Sequence, residues 1–117
     1  MGILCFGDSN TYGYDPRGFL GDRYPAEYRW CDLLAEKTGW EMINAGANGR
    51  DIPSDEGIFR LLERYTPVDA LLVMLGTNDL LQFWTPDAAC EKMANFLQSL
   101  TLDRDKILLI APPPMKF

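Results

Sequence analysis

A parallel β-sheet with helices on both faces is the architecture this sequence predicts, and three observations predict it. Short apolar runs alternate with amphipathic segments of helical period. The first run, Ile3 to Phe6, and the third, Ala70 to Leu75, are continuously apolar, as strands covered on both faces require. The first three runs each end in a polar loop carrying Gly with Asn, Asp or Ser. The chain has 117 residues, which suits one domain, residues 1–117, with no repeats, low-complexity tracts or linkers.

The first strand spans about Gly2 to Phe6 and stops at Gly7-Asp8-Ser9-Asn10. Gly7 permits a tight exit, and Asp8, Ser9 and Asn10 are helix-starting residues whose side chains satisfy free backbone N–H groups. A long loop follows from Gly7 to Ala26, rich in Gly, Pro and aromatic residues and too long to be a mere connection. Trp30, Leu33 and Leu34 mark one face of a helix that Gly39 ends, with Lys37 in its last turn. A second strand covers Trp40 to Ala45, and a second polar loop covers Asn44 to Pro53. Ser54 then caps a helix whose stripe is Ile58, Leu61, Leu62 and Tyr65, closed by Pro67.

Asp69 to Leu75 is the clearest strand and the best candidate for a central position. It runs into Gly76-Thr77-Asn78-Asp79, a third polar loop. Thr85 and Pro86 open a further helix as N-cap and N1, with Ala89, Met93, Phe96, Leu97 and Leu100 facing inward. Lys106 to Ala111 makes the last strand, and Pro112-Pro113-Pro114 stops it.

Composition narrows the function. A net charge of −6 without a basic cluster argues against nucleic acid or an anionic membrane as partner, and no apolar run is long enough to span a bilayer. Cys5, Cys31 and Cys90 are an odd set without paired spacing, best explained as buried thiols in a reducing compartment, neither disulfides nor a metal site. The chain begins at its first strand without a signal peptide, so the expected location is the cytoplasm. No cofactor or metal is implied.

In an open parallel sheet all strand carboxyl ends lie along one edge, where ligands bind. Ser9, the Asn44–Arg50 loop and Asn78 therefore converge on one crevice. An ester hydrolase needs a nucleophilic hydroxyl and hydrogen-bond donors for the oxyanion of the tetrahedral intermediate. Ser9 can be the nucleophile and donate its own backbone N–H. A glycine in the second loop lets the backbone approach a substrate, and the Asn78 carboxamide donates without adding charge. Asp8 is expected to anchor the turn by accepting backbone N–H groups. Taken singly, each residue also has a plain structural explanation: a helix cap, a turn asparagine, a turn glycine.

Gly7-Asp8-Ser9-Asn10, Asn44-Ala45-Gly46-Ala47-Asn48-Gly49 and Gly76-Thr77-Asn78-Asp79 together resemble the first three motif blocks of the SGNH, or GDSL-type, esterase/lipase superfamily. Arg29-Trp30, Met74-Leu75-Gly76-Thr77-Asn78-Asp79 and Ala111-Pro112-Pro113-Pro114 are most similar to its arylesterase/acyltransferase branch. The resemblance implies a flavodoxin-like three-layer α/β/α sandwich with strand order 2-1-3-4-5. It implies Ser9 as nucleophile and oxyanion donor, Gly49 as second donor and Asn78 as third, with Asp8 and Asp79 supporting them. Gly46 stays a turn residue. Tyr14, Phe19 and Tyr24, with Phe83 and Trp84, would line the pocket for a small-molecule ester.

The family's last block, Asp-x-x-His after a fifth strand, has no counterpart, and the chain contains no histidine. The expectation is a portion of a longer hydrolase lacking the C-terminal strand, helix and general base. The alternative is a non-catalytic ligand-binding or self-associating remnant, since the fourth strand would be an uncovered edge able to form a homo-oligomer. A third reading, a flavin protein holding phosphate at Asp8–Gly13, leaves Gly76-Thr77-Asn78-Asp79 without a purpose.

Overall fold

The structure is a computed structural model and describes residues 2–15, 22–53, 64, 68–100 and 102–113. Four strands, β1 (Gly2–Gly7), β2 (Glu41–Gly46), β3 (Ala70–Met74) and β4 (Ile107–Leu109), form one sheet in the order β2-β1-β3-β4. All three pairings are parallel: Gly7 lies opposite Gly46 and Met74, and Val73 lies opposite Leu109. β3, the run expected to be central, lies in the interior beside β1, and the order is that of the first four strands of the 2-1-3-4-5 sandwich. The helix expected over Ser54–Tyr65 falls outside the described residues.

Alternation along β1 sorts its side chains between two layers. Leu4 and Phe6 join one cluster with Leu71, Val73, Ala89, Met93 and Phe96. Phe6 and Phe96 stack with ring centroids 5.8 Å apart. This face is covered by the long helix Pro86–Gln98, whose N-cap Thr85 accepts the Ala88 N–H at 3.1 Å. Cys5 points to the opposite face, where it meets Cys31 of helix Trp30–Thr38. Gly39 ends that helix as expected.

Four expectations need correction. The Gly7–Ala26 segment is not plain loop. It begins with a short helix, Ser9–Tyr12, and its arms pair where Asp15 N–H donates to Asp22 O at 2.9 Å and Tyr24 N–H to Gly13 O at 2.7 Å. Thr77-Asn78-Asp79 does not stay polar loop but opens a second short helix, Thr77–Leu81, consistent with residues that favour helix starts. Gly46 is not a turn residue; it ends β2, and a Cβ there would collide with the backbone of Tyr12 and come within 2.8 Å of the Thr11 carbonyl carbon. The last strand is shorter than Lys106–Ala111, because Arg104–Lys106 winds into a 3₁₀ turn. In chain order the helices are hereafter α1 (Ser9–Tyr12), α2 (Trp30–Thr38), α3 (Thr77–Leu81) and α4 (Pro86–Gln98).

Candidate active site at the strand carboxyl edge

Asp8 ends the first strand's exit and caps α1. Its Oδ1 accepts the Asn10 N–H at 2.9 Å, and its carbonyl accepts the Thr11 and Tyr12 amides at 3.2 and 2.9 Å. Its other carboxylate oxygen is buried without a hydrogen-bond partner. Burial pushes the Asp8 carboxyl above the ordinary carboxylate value, the Asn10 hydrogen bonds oppose this, and nearby Asp79 adds a smaller upward push. Ser9 follows as the first residue of α1, half-buried. That position leaves its N–H without an acceptor in its own helix.

The second loop is fastened to the first. Asn44 Nδ2 donates to Thr11 O at 2.8 Å while its Oδ1 accepts the Gly46 N–H at 2.9 Å. Ala47 N–H donates to Gly7 O at 3.1 Å. The chain then turns through Asn48 and Gly49, closed by Arg50 N–H to Ala47 O at 3.3 Å. Gly49 is exposed with φ +74°, a conformation that glycine takes at low cost, and among the described residues none beyond its chain neighbours comes within 4 Å of where its Cβ would be. A substrate could therefore approach this backbone closely.

The third loop is fastened to the second. Asn78, on α3, donates from Nδ2 to Arg50 O at 3.0 Å. A carboxamide nitrogen carries two hydrogens, so this bond fixes the group and leaves its second N–H to donate elsewhere. Asp79 is fully buried: its Oδ2 accepts the Ile52 N–H at 3.0 Å, and its Oδ1 pairs with Lys92 Nζ at 2.5 Å. Lys92 also lies 4.3 Å over the Trp84 ring. Asp79 thus ties α3, the second loop and α4 together.

Arg50 is a participant that sequence reasoning missed. Its guanidinium donates to Gly7 O at 3.2 Å and to Ala45 O, and lies 4.3 Å over the Phe6 ring. One side chain thereby joins the carboxyl ends of β1 and β2 while its own carbonyl holds Asn78. Nothing in the sequence separates this arginine from a solvated one after Asn-Gly.

Beside Ser9 opens a cavity of about 440 Å³, lined by Tyr14, Tyr24, Tyr28, Arg29 and Trp30 among others. Tyr14 and Tyr24 are two of the three loop aromatics expected there; Phe19 lies outside the described residues. Gly49 and Asn78 are not part of this cavity's wall. Trp84 packs on Lys92, whereas Phe83 stands 94% exposed in the left-handed region at φ +68°. Its amide and that of Trp84 donate to Leu80 O and Asp79 O, both at 3.1 Å. This is the helix ending that ordinarily carries glycine at the position of Phe83. Among the described residues no three His, Cys, Asp or Glu side chains gather as a metal site, and no helix is long and apolar enough to cross a membrane.

Comparison with known proteins agrees with this fold. A structure of a carbohydrate acetylesterase family member from Sinorhizobium meliloti is 27% identical, with a TM-score of 0.75 over 98% of this chain and 64% of that one. A lipase/acylhydrolase from Enterococcus faecalis is 25% identical, with a TM-score of 0.68 over 98% of this chain and 58% of that one. AlinE4, an SGNH-hydrolase family esterase, is 26% identical with a TM-score of 0.72 over 97% and 60%. This chain therefore spans about 60% of the length of these structures. The search of curated proteins gives no significant match. The model of the GDSL-like lipase/acylhydrolase family matches residues 5–117, a span that takes in all three interlocked loops, and the chain belongs to that family.

Proposed function

We propose that this chain carries the nucleophile and oxyanion hole of a serine ester hydrolase acting on small carboxylic esters, of the arylesterase type. Ser9 Oγ attacks the ester carbonyl as a base takes its proton. The oxyanion is held by the Ser9 N–H, the Gly49 N–H and the Asn78 carboxamide. The protonated base gives its proton to the leaving oxygen as the intermediate collapses, expelling the alcohol and leaving an acyl-Ser9 ester, which water hydrolyses; an alcohol in place of water gives acyl transfer. The base is an imidazole of an Asp-x-x-His block belonging to residues outside these 117, which contain no histidine.

The observation that supports this reading most is the bond from Asn78 Nδ2 to Arg50 O, which fixes a neutral donor beside the glycine turn. Preorganised donors of this kind need no reorientation as charge develops. Tyr14, Tyr24, Tyr28 and Trp30 around the Ser9 cavity supply an aromatic wall for acyl or alcohol groups. Phe83 fits the same role. A large apolar side chain held exposed in a left-handed conformation costs stability, as residues serving a ligand often do.

The test is labelling by a fluorophosphonate in a form of the protein bearing the Asp-x-x-His block. The adduct is expected on the tryptic peptide of residues 1–17, absent in Ser9→Ala, and formed at least about 100-fold more slowly by the 117-residue chain alone. An adduct that persists in Ser9→Ala refutes the assignment. No adduct in either form favours the second reading, a ligand-binding module, which the lack of histidine here supports.

A further inference from the structure

We propose that Cys5 and Cys31 form a reversible intramolecular disulfide. It would staple the strand that leads into Ser9 to the helix whose first residue, Trp30, lines the Ser9 cavity.

The two thiols are buried and hydrogen-bonded to each other, sulfur to sulfur, at 2.9 Å. Their partners in the fold keep them there. Cys5 sits within β1, clamped by β2 on one side and β3 on the other, opposite Asn44 and Leu72. Cys31 is the second residue of α2, which packs against the same sheet. Separating the sulfurs means lifting α2 from the sheet, so each thiol faces the other at high effective concentration. Cys90 is exposed on α4, on the other face of the sheet, and does not compete. The odd cysteine count thus resolves into one facing pair and one surface thiol. Spacing in the sequence hid the pair, because strand and helix bring together residues 26 positions apart.

The reaction needs a two-electron oxidant, and a small peroxide is the class that suits a buried pair. Cys31 is the better nucleophile. The hydrogen bond with Cys5 holds the Cys31 thiol below its ordinary value, against burial and Asp32, with Arg29 and Arg23 adding a smaller pull. The same hydrogen bond and burial push the Cys5 thiol up. Cys31 sulfur attacks one peroxide oxygen, the O–O bond breaks, and the departing hydroxide takes the thiol proton as water. The Cys5 sulfur then displaces hydroxide from the resulting sulfenic acid, and its own proton leaves in a second water. Two thiols and one peroxide become one disulfide and two waters. A thiol reductant returns both electrons. The proposal stands apart from the esterase reading and needs no catalytic activity to test.

The experiment treats the folded, dilute 117-residue chain with hydrogen peroxide, alkylates remaining thiols, and maps peptides without reduction. The expected product is about 2 Da lighter before alkylation. Its map shows peptide 1–17 joined to peptide 30–37, while Cys90 stays alkylated in its own peptide. Dithiothreitol restores both thiols, and the bridged form melts about 5–10 °C higher. Cys5 and Cys31 remaining as thiols, either oxidising singly to sulfinic acid, or a bridge to Cys90 overturns the proposal.

Discussion

Single residues at this edge carry opposing demands. Phe83 occupies a helix-ending position that favours glycine, yet exposes its whole ring. A left-handed non-glycine residue costs about 1–2 kcal/mol, and the flexibility of glycine in the unfolded chain returns about 0.5–1 kcal/mol of that. Phe83→Gly is therefore expected to raise Tm by a few degrees in thermal denaturation, while raising KM for aryl esters in the active form. Asp8 shows the same tension through charge. Its carboxyl is raised by burial, so its contribution to stability is fully present below the ordinary carboxylate range and falls as pH rises through the folded-state value. Asp8→Asn keeps an acceptor for the Asn10 amide without a charge to bury. Its Tm relative to wild type is expected to be more favourable at pH 7 than at pH 4, and an equal difference at both would contradict the account. That Ser9, Gly49 and Asn78 follow strand carboxyl ends was legible from the apolar runs they terminate, and that Asp8 anchors the first turn was legible from its residue type. Arg50 was not legible, because its role comes from two carbonyls on strands 43 and 5 residues away in sequence.

At the scale of elements, α4 holds the third loop in place as well as covering the sheet. Lys92 on α4 reaches the fully buried Asp79, whose other oxygen holds the second loop at Ile52. Removing one partner of a buried pair leaves an uncompensated charge. Lys92→Ala is expected to destabilise the fold by about 3 kcal/mol in urea denaturation, well beyond the effect of an exposed lysine on the same helix. Asp79→Asn in that background should recover part of the loss, and additive effects of the two changes would contradict a direct pair. The long elements were readable because periodicity, caps and terminators agreed: Thr85 and Pro86 begin α4, and Gly39 ends α2. The short ones were not. α1 and α3 have four and five residues, too few for a periodic signal, and are held by caps and tertiary contacts. Gly46 was misread for a related reason. The need for a missing Cβ lies in the α1 backbone it meets, not in its neighbours along the chain.

At the scale of the molecule, the parallel sheet brings three separate polar segments to one edge, and a mesh of hydrogen bonds locks them there. Asn44 reaches α1, Arg50 reaches β1, and Asn78 reaches Arg50. Among the described strands β4 lies at the edge opposite β2, with Leu108 and Leu109 exposed. The parallel sheet and its polar carboxyl edge followed from the alternation of strands and helices, whereas the strand order was implied by the family resemblance. The shape of the aromatic cavity did not, since it depends on how the arms around Tyr14 and Arg23 pair. The central claim is that Ser9, Gly49 and Asn78 act together on one oxyanion. It is tested most directly by kcat/KM for p-nitrophenyl acetate in the form bearing the Asp-x-x-His block. Asn78→Ala is expected to lower kcat by about 10²–10³-fold with KM little changed, and Ser9→Ala to remove about 10⁴-fold or more. Wild-type kcat in Asn78→Ala, or turnover surviving in Ser9→Ala, would contradict it.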